Sequence, residues 1–334
     1  MDNIHQPGHY TYRGIECKEV QKIMTSGLST RRCITPGNLI LLSMQDLSSR
    51  GRGLLYLVRQ KEIEKYASTE DLMKAEDDSD MKTIKRKSML YQTGVEYGDY
   101  TMNHVQGCAH GCKYPCYAFL MKKRFGQIKD YESWLEPVLV SNTLELLDKE
   151  IPKLRDKIQS VQLCFTTDPF MEGYPEVSQM SIAAIRKLNE AGIKCTTLTK
   201  GLLPIELAEL SPENEYGITL ITLNEAYREQ MEPGAAPCSE RLAALKALHE
   251  AGCKTWVSIE PYPTPNMIEQ NLHQLLEAVS FTGRIIFGRT NYSKIANAYK
   301  GHKHFYNECA AEVISFCLEH GIDYHIKEKT ITKE

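Results

Sequence analysis

The chain of 334 residues has no apolar run long enough to span a bilayer, and nothing apolar near its start. Its opening segment, MDNIHQPGHYTYRGIEC, is polar and lacks a signal-peptide pattern. A cytoplasmic protein with no membrane partner is therefore expected, in a compartment that keeps thiols reduced. Charge of one sign is also missing. A formal net charge of -3 gives no whole-protein pull toward nucleic acid or anionic membrane, and leaves room only for a local basic surface. No phosphate-binding glycine loop is present. An even cysteine count is absent too: there are eleven, so complete pairing into disulfides within one chain is excluded. Metal binding and plain burial remain as explanations for so many thiols. With 42% hydrophobic and 25% charged residues, the composition is that of a soluble globular protein, long enough for two domains.

Residues 1–80 carry a pattern of their own, read as a small, mainly helical extension. Residues 53–60 read as a short helical or buried piece, and residues 69–75 as a capped helix start, since Thr69 before Glu70 and Asp71 satisfies free amides. The charged run from Glu76 to Lys87 reads as a solvated linker. From about residue 88 the rhythm changes, and residues 81–334 are assigned to a second domain. Strands are expected at residues 161–165, 195–198, 217–222, 255–259 and 284–288. Helices are expected at 177–191, closed by Gly192; at 240–251, capped by Ser239 and closed by Gly252; and at 305–319. Strand followed by helix, at least four times over, implies an α/β fold with parallel strands, a full or partial (β/α) barrel. Such folds bind ligands at the carboxyl ends of their strands. Thr166, Thr167 and Asp168, then Thr199 and Lys200, then Thr222 and Asn224, then Glu260 fall at those ends.

The sharpest feature is residues 107–118, GCAHGCKYPCYA, with Cys108, Cys112 and Cys116 at intervals of four. Gly111 and Pro115 argue against a continuous helix, so a compact loop that converges three thiolates is expected. Structural zinc wants four ligands, and His104 or His110 would have to complete the set. That reading makes the chain a zinc-stabilised, non-catalytic nucleic-acid-binding module. A cubane iron–sulfur cluster normally takes four thiolates, so three leave one iron open. S-adenosylmethionine (SAM) chelates such an iron through its amino and carboxylate groups. One-electron reduction of its sulfonium then yields a primary carbon radical, which the protein must aim and shield from water.

At this motif the sequence resembles the radical SAM superfamily, most of all the branch that contains spore photoproduct lyase and its relatives termed DNA repair photolyases. The resemblance covers roughly residues 88–275. It rests on Leu90-Tyr91-Gln92-Thr93-Gly94, Asp99-Tyr100-Thr101-Met102-Asn103, the cysteine loop, Thr167-Asp168-Pro169-Phe170 and Thr199-Lys200. Glu232-Pro233-Gly234, Arg241-Leu242 and Ala251-Gly252 add to it. The resemblance implies a partial TIM-type barrel and a 4Fe-4S cluster on Cys108, Cys112 and Cys116. It implies SAM as second cofactor, and an electron donor such as flavodoxin or ferredoxin. It further implies SAM contacts from Tyr114, Tyr117, Thr167, Asp168, Lys200 and Thr222, with Arg241 and Glu260 as further candidates. The expected activity is a lyase or modifying reaction begun by a 5′-deoxyadenosyl radical, on nucleic acid or alternatively on a peptide or small metabolite.

Two departures stand out. Three residues, not two, separate Cys112 from Cys116, because Pro115 is added. Phe165 occupies the place of the hydrogen-donating cysteine of spore photoproduct lyase; Cys164, one residue earlier, is expected to face the covering layer, since neighbouring strand residues face opposite sides. Residues 1–80 resemble a small helical domain common in phage proteins, which hints at a phage or mobile-element origin. The run Lys122-Lys123-Arg124 suits phosphate contact or a solvated helix face, and the 18 tyrosines suit base stacking or core filling.

Overall fold

The computed structural model describes residues 81–333 apart from Tyr97, together with strand segments among the first eighty residues. The chain separates into two compact units, Met1–Asp80 and Met81–Glu334. In the first, the described segments are strands, and most of the residues on which the mainly helical expectation rests lie outside the described ones. Tyr10–Tyr12 pairs with Ile15–Cys17, and Val20–Thr25, Leu28–Thr35, Asn38–Ser43 and Leu55–Arg59 form an antiparallel sheet in that order. Thr25 is paired with Leu28, and Thr35 with Asn38. The segment read as a helical or buried piece is the strand Leu55–Arg59. The helix start expected at residues 69–75 lies outside the described residues.

The second unit is a curved eight-stranded sheet. In chain order its strands are β1 (Tyr91–Gln92), β2 (Tyr100–Met102), β3 (Ser160–Leu163), β4 (Lys194–Thr199), β5 (Glu215–Thr219), β6 (Lys254–Tyr262), β7 (Arg284–Arg289) and β8 (Asp323–Ile326). β2 to β8 run parallel in sequence order, and β1 pairs antiparallel with β2. The crossovers carry helices α1 (Tyr117–Arg124), α2 (Thr143–Leu154), α3 (Pro175–Glu190), α4 (Glu225–Met231), α5 (Cys238–Glu250), α6 (Leu272–Ala278), α7 (Lys294–Ala298) and α8 (His302–His320). This is the expected partial barrel. Strands rich in Val, Ile and Thr, buried on both faces, make parallel pairing favourable. One core of Val161, Leu163, Ile185, Leu188, Ile218, Val257, Ile285, Phe287 and Val313 joins sheet and helices.

Element limits differ from expectation by at most three residues, and the differences have local causes. α5 begins at Cys238 with Pro237 in the cap position, so Ser239 lies inside the helix. Proline's fixed φ suits a helix start. β3 ends at Leu163 because Cys164 adopts φ 56°, a left-handed turn. The basic end of the charged run is docked as well as solvated. Thr83–Ile84 pairs with Val138–Val140, and Asn142 brackets Arg86 by accepting its amide at 3.0 Å and donating to its carbonyl at 2.9 Å. At the other side, Glu96 in the β1–β2 connection accepts from His325 of β8 at 2.7 Å, tying the two edges of the sheet. No helix among the described residues is long and apolar enough to cross a membrane.

Candidate active site

The cysteine loop leaves the carboxyl end of β2 and passes through the short strand Val105–Gln106. Gly107 turns it with φ 86°, where a side chain would press on the carbonyls of Trp134 and Glu136. The loop is then fixed from several directions. Cys108 donates its amide to Trp134 at 2.8 Å, and Tyr131 donates to the Cys112 carbonyl at 2.5 Å. Lys113 donates to the Met231 carbonyl at 2.8 Å, and Gly234 to the His110 carbonyl at 2.9 Å. A Cβ on Gly234 would stand 2.2 Å from the Ala109 carbonyl, so only glycine allows this approach. The chain of Cys116 is extended and serves as the cap of α1.

Asp168 connects this loop to two strand ends. It is buried, and His110 Nε2 lies 2.7 Å from its Oδ2. Its oxygens also accept from Phe170 N at 2.8 Å, Thr199 Oγ1 at 2.6 Å and Lys200 N at 2.8 Å. Burial works against the charge, but these partners hold the carboxyl below its ordinary range. Both oxygens are thus committed to the protein itself, and the residue expected as a SAM contact is a tie between loop, β3 and β4.

Lys200 follows β4, and its Nζ reaches 3.4 Å from Cys112 Sγ and 4.6 Å from the centre of the Tyr114 ring. Beneath it lies a buried ionic group. Glu232 pairs with Lys200 at 3.1 Å and with Arg241 at 3.2 Å, and also accepts from the Tyr114 hydroxyl. Arg241 is 1% exposed and donates to the Thr219 carbonyl at 2.6 Å. Burial disfavours the Glu232 carboxylate, yet Lys200 and Arg241 hold its pKa down at about 2. Burial likewise works against the Lys200 charge, and Cys112 and Glu232 outweigh it.

The remaining candidates spread around the same mouth. Thr167 is half-buried, and its hydroxyl donates to the Val105 carbonyl at 3.3 Å. Thr222 is buried and accepts the Asn224 amide at 3.0 Å. Tyr117 is half-exposed and donates to the Phe165 carbonyl. Glu260 near the end of β6 stays partly open, 3.9 Å from Lys327, and burial raises its carboxyl. Cys164 does face the covering layer, through its left-handed turn and not through strand alternation. It packs with Met171 and Val177, and its Sγ lies 3.5 Å from His104, whose other nitrogen is 2.9 Å from Ser181 of α3. Lys122, Lys123 and Arg124 form the last turn of α1, where Lys122 donates to Gln127 at 2.8 Å. Sequence reasoning treated Glu232 only as part of a motif. Asn103 was likewise read only as part of a motif; it accepts from Thr166 and donates to Tyr91.

The donor set can be tested against its candidate metals. Among the described residues, no three or more His, Cys, Asp or Glu side chains close on one point as a single ion requires. Zinc needs ligands at about 2.0–2.3 Å. Both nitrogens of His110 are engaged, with Asp168 and with the Gly234 carbonyl at 3.2 Å, and both of His104 are engaged as above. Neither of these two imidazoles remains to complete a zinc site with the three thiols. The cysteines are free, partly exposed and within electrostatic reach of one another. Three free thiols from one loop, with neither candidate imidazole left to join them, are the donor set that a cluster with one open iron takes.

The sequence profile of the radical SAM superfamily matches residues 102–279. The chain is 27% identical over 195 residues to the uncharacterized protein ORF301 of Acidianus two-tailed virus, covering 56% of this chain and 64% of that protein. It is 28% identical over 189 residues to the uncharacterized protein MJ0683 of Methanocaldococcus jannaschii, covering 56% of this chain and 68% of that one. Among solved structures, spore photoproduct lyase complexed with dinucleoside spore photoproduct superposes with a TM-score of 0.55. That match has 14% identity and covers 73% of this chain and 80% of the other. A mutant of the same lyase with bound AdoMet and the dinucleoside gives 0.53 over the same shares. These two superpositions speak to the fold.

Proposed function

We propose that this chain, which belongs to the radical SAM superfamily, is an enzyme that binds a 4Fe-4S cluster on Cys108, Cys112 and Cys116 and uses it to cleave SAM reductively, acting on nucleic acid. Together the bound cofactors supply a 5′-deoxyadenosyl radical, given one electron from a donor of the flavodoxin or ferredoxin type. The protein's own part is to hold and aim. Asp168, through His110, fixes the middle of the cysteine loop against two strand ends. The segment from Met231 to Gly234 fixes it from the opposite side. The observation that carries the reading is the Lys200 ammonium, poised 3.4 Å from Cys112 Sγ by a buried carboxylate. A cation there is suited to receive the carboxylate of SAM. Tyr114 and Thr222 narrow the same mouth, and Tyr117 and Glu260 stand at its rim.

The test is anaerobic reconstitution with iron and sulfide, followed by reduction with SAM present. Wild type is expected to be brown, to hold about four irons, and to release 5′-deoxyadenosine and methionine. Cys108→Ala, Cys112→Ala and Cys116→Ala should lose both colour and product. Lys200→Ala should keep its iron and bind SAM more weakly. A colourless protein that takes up one zinc would overturn the reading.

A further inference from the structure

Between Glu277 and Glu308 the sequence contains no acidic residue, yet it holds Arg284, Arg289, Lys294, Lys300 and Lys303. In a chain of net charge -3 this is a local reversal of sign. Arg284 lies at the amino end of β7 and is answered by Glu215 at 3.3 Å. The other four cations follow from the carboxyl end of β7, on the side of the barrel where the cysteine loop lies. Among the described residues, none of these four pairs with a carboxylate, although His304 beside them pairs with Glu308. Lys294, Lys300 and Lys303 are exposed. Lys303 also sits in the first turn of α8, which contains no acidic residue, although the helix dipole there favours negative charge.

An exposed aromatic residue stands within this basic lip. Tyr292 is 73% exposed and has φ 59°, a left-handed conformation that bulky residues rarely adopt. Its neighbours keep it there. Thr290 is buried, donating its hydroxyl to the Tyr262 carbonyl at 2.7 Å and its amide to Tyr306 at 3.1 Å. Ser293 is buried and caps α7 by accepting the Ala296 amide at 3.2 Å. With Thr290 and Ser293 both anchored, the residue between them is held outward in a strained backbone, and strain of this kind is a pointer to function.

We infer that the segment from Arg289 to Lys303 is a docking lip for a single-stranded polynucleotide, with the lysines on backbone phosphates and the Tyr292 ring stacked on a base. Unpaired cations fit repeated phosphates, and a flat ring presented to solvent fits the face of any base. An acidic peptide would match the lysines but give Tyr292 no partner. The lip feeds the mouth where the radical chemistry proposed above takes place, and the assignment of substrate class rests on that chemistry.

The experiment is fluorescence anisotropy of labelled oligothymidylate with the full-length, cluster-loaded protein over a salt series. Wild type should bind with a steep salt dependence. The triple variant Lys294→Gln, Lys300→Gln, Lys303→Gln should lower the slope of log affinity against log salt by about 2, three contacts at roughly 0.7 each. A control triple of exposed lysines on α2 and the turn after it, Lys149→Gln, Lys153→Gln, Lys157→Gln, should leave that slope unchanged. Tyr292→Ala should weaken binding roughly ten- to a hundredfold without changing the slope. The inference is overturned if oligothymidylate does not bind, if the two triples behave alike, or if polyglutamate displaces the oligonucleotide as well as unlabelled polynucleotide does. Release of 5′-deoxyadenosine by the same wild-type preparation separates the two questions. Product without oligonucleotide binding removes the lip and spares the enzyme, and binding without product does the reverse.

Discussion

Replacing Glu232 with glutamine tests the ionic group that carries Lys200. The carboxylate is 1% exposed and faces two cations, Lys200 at 3.1 Å and Arg241 at 3.2 Å. Glutamine keeps the shape and one acceptor for the Tyr114 hydroxyl but removes the one carboxylate that, among the described residues, pairs with either cation. Arg241, 1% exposed, then stays buried and charged with the Thr219 carbonyl as its main oxygen partner. Breaking a buried pair from one side costs about 3–5 kcal/mol, because the other charge is left uncompensated. Against a domain stability of roughly 5–15 kcal/mol, the variant should fold but unfold early. Arg241→Met should cost less, since Lys200 still balances Glu232. The double variant should cost less than the sum of the two, with an interaction of about 0.5–3 kcal/mol. Anaerobic urea unfolding of the four proteins measures this cycle. Equilibrium dialysis with SAM adds a functional readout, in which Glu232→Gln should keep its iron and lose SAM affinity as Lys200 loses its anchor. A Glu232→Gln cost below about 1 kcal/mol, or strict additivity, would refute the claim that these three groups form one desolvated unit.

Other tests are shorter. Burial holds the His104 pKa down at about 4, so the unfolded chain binds its proton first as pH falls from about 6.5. Stability from this residue is present above that range and is lost between about pH 6.5 and 4, roughly 3 kcal/mol in all; the gap between wild type and His104→Gln in urea unfolding should close over that window, and a constant gap would contradict it. Cys164→Ala should leave both 5′-deoxyadenosine release and product quenching intact, whereas a selective loss of quenching would make Cys164 the hydrogen donor. Glu96→Gln should speed amide exchange in Asp323–Ile326 while changing global stability by no more than about 1 kcal/mol, because the pair it breaks is partly exposed.

The barrel was legible because its signal is repetitive. Most strands are short runs rich in Val, Ile or Thr, and several helices are followed by a glycine such as Gly192, Gly252 or Gly321, so local pattern and global fold agree. The cysteines were legible because three thiols in a twelve-residue loop are a rare combination. The state of the charged residues was not. Nothing in the order Ser239-Glu240-Arg241 says that this arginine points inward, because helix periodicity gives a face and not a partner. Asp168 was placed at a strand end, but three partners from distant segments, His110, Thr199 and Lys200, converge on it, and that convergence exists only in three dimensions.

The added residue in the cysteine loop shows how such a site tolerates change. Lengthening the gap between Cys112 and Cys116 would be expected to carry the third thiol away from the others. Two anchors prevent it. Tyr114, in the middle of the gap, is buried and donates to Glu232, so the additional length cannot bulge at that point. Cys116 caps α1, so its position follows the helix and not the loop. The helix in turn is packed through Phe119 on Tyr131 and Trp134, the residues whose hydroxyl and carbonyl hold Cys112 and Cys108. The three thiols are thus positioned by one shared scaffold, and their spacing along the chain is free to vary as long as Phe119, Tyr131 and Trp134 stay packed. Phe119→Ala should therefore lower iron retention more than any single change among Lys113, Pro115 and Ala118, as measured by iron content after gel filtration, and the opposite ranking would return control of the site to loop length.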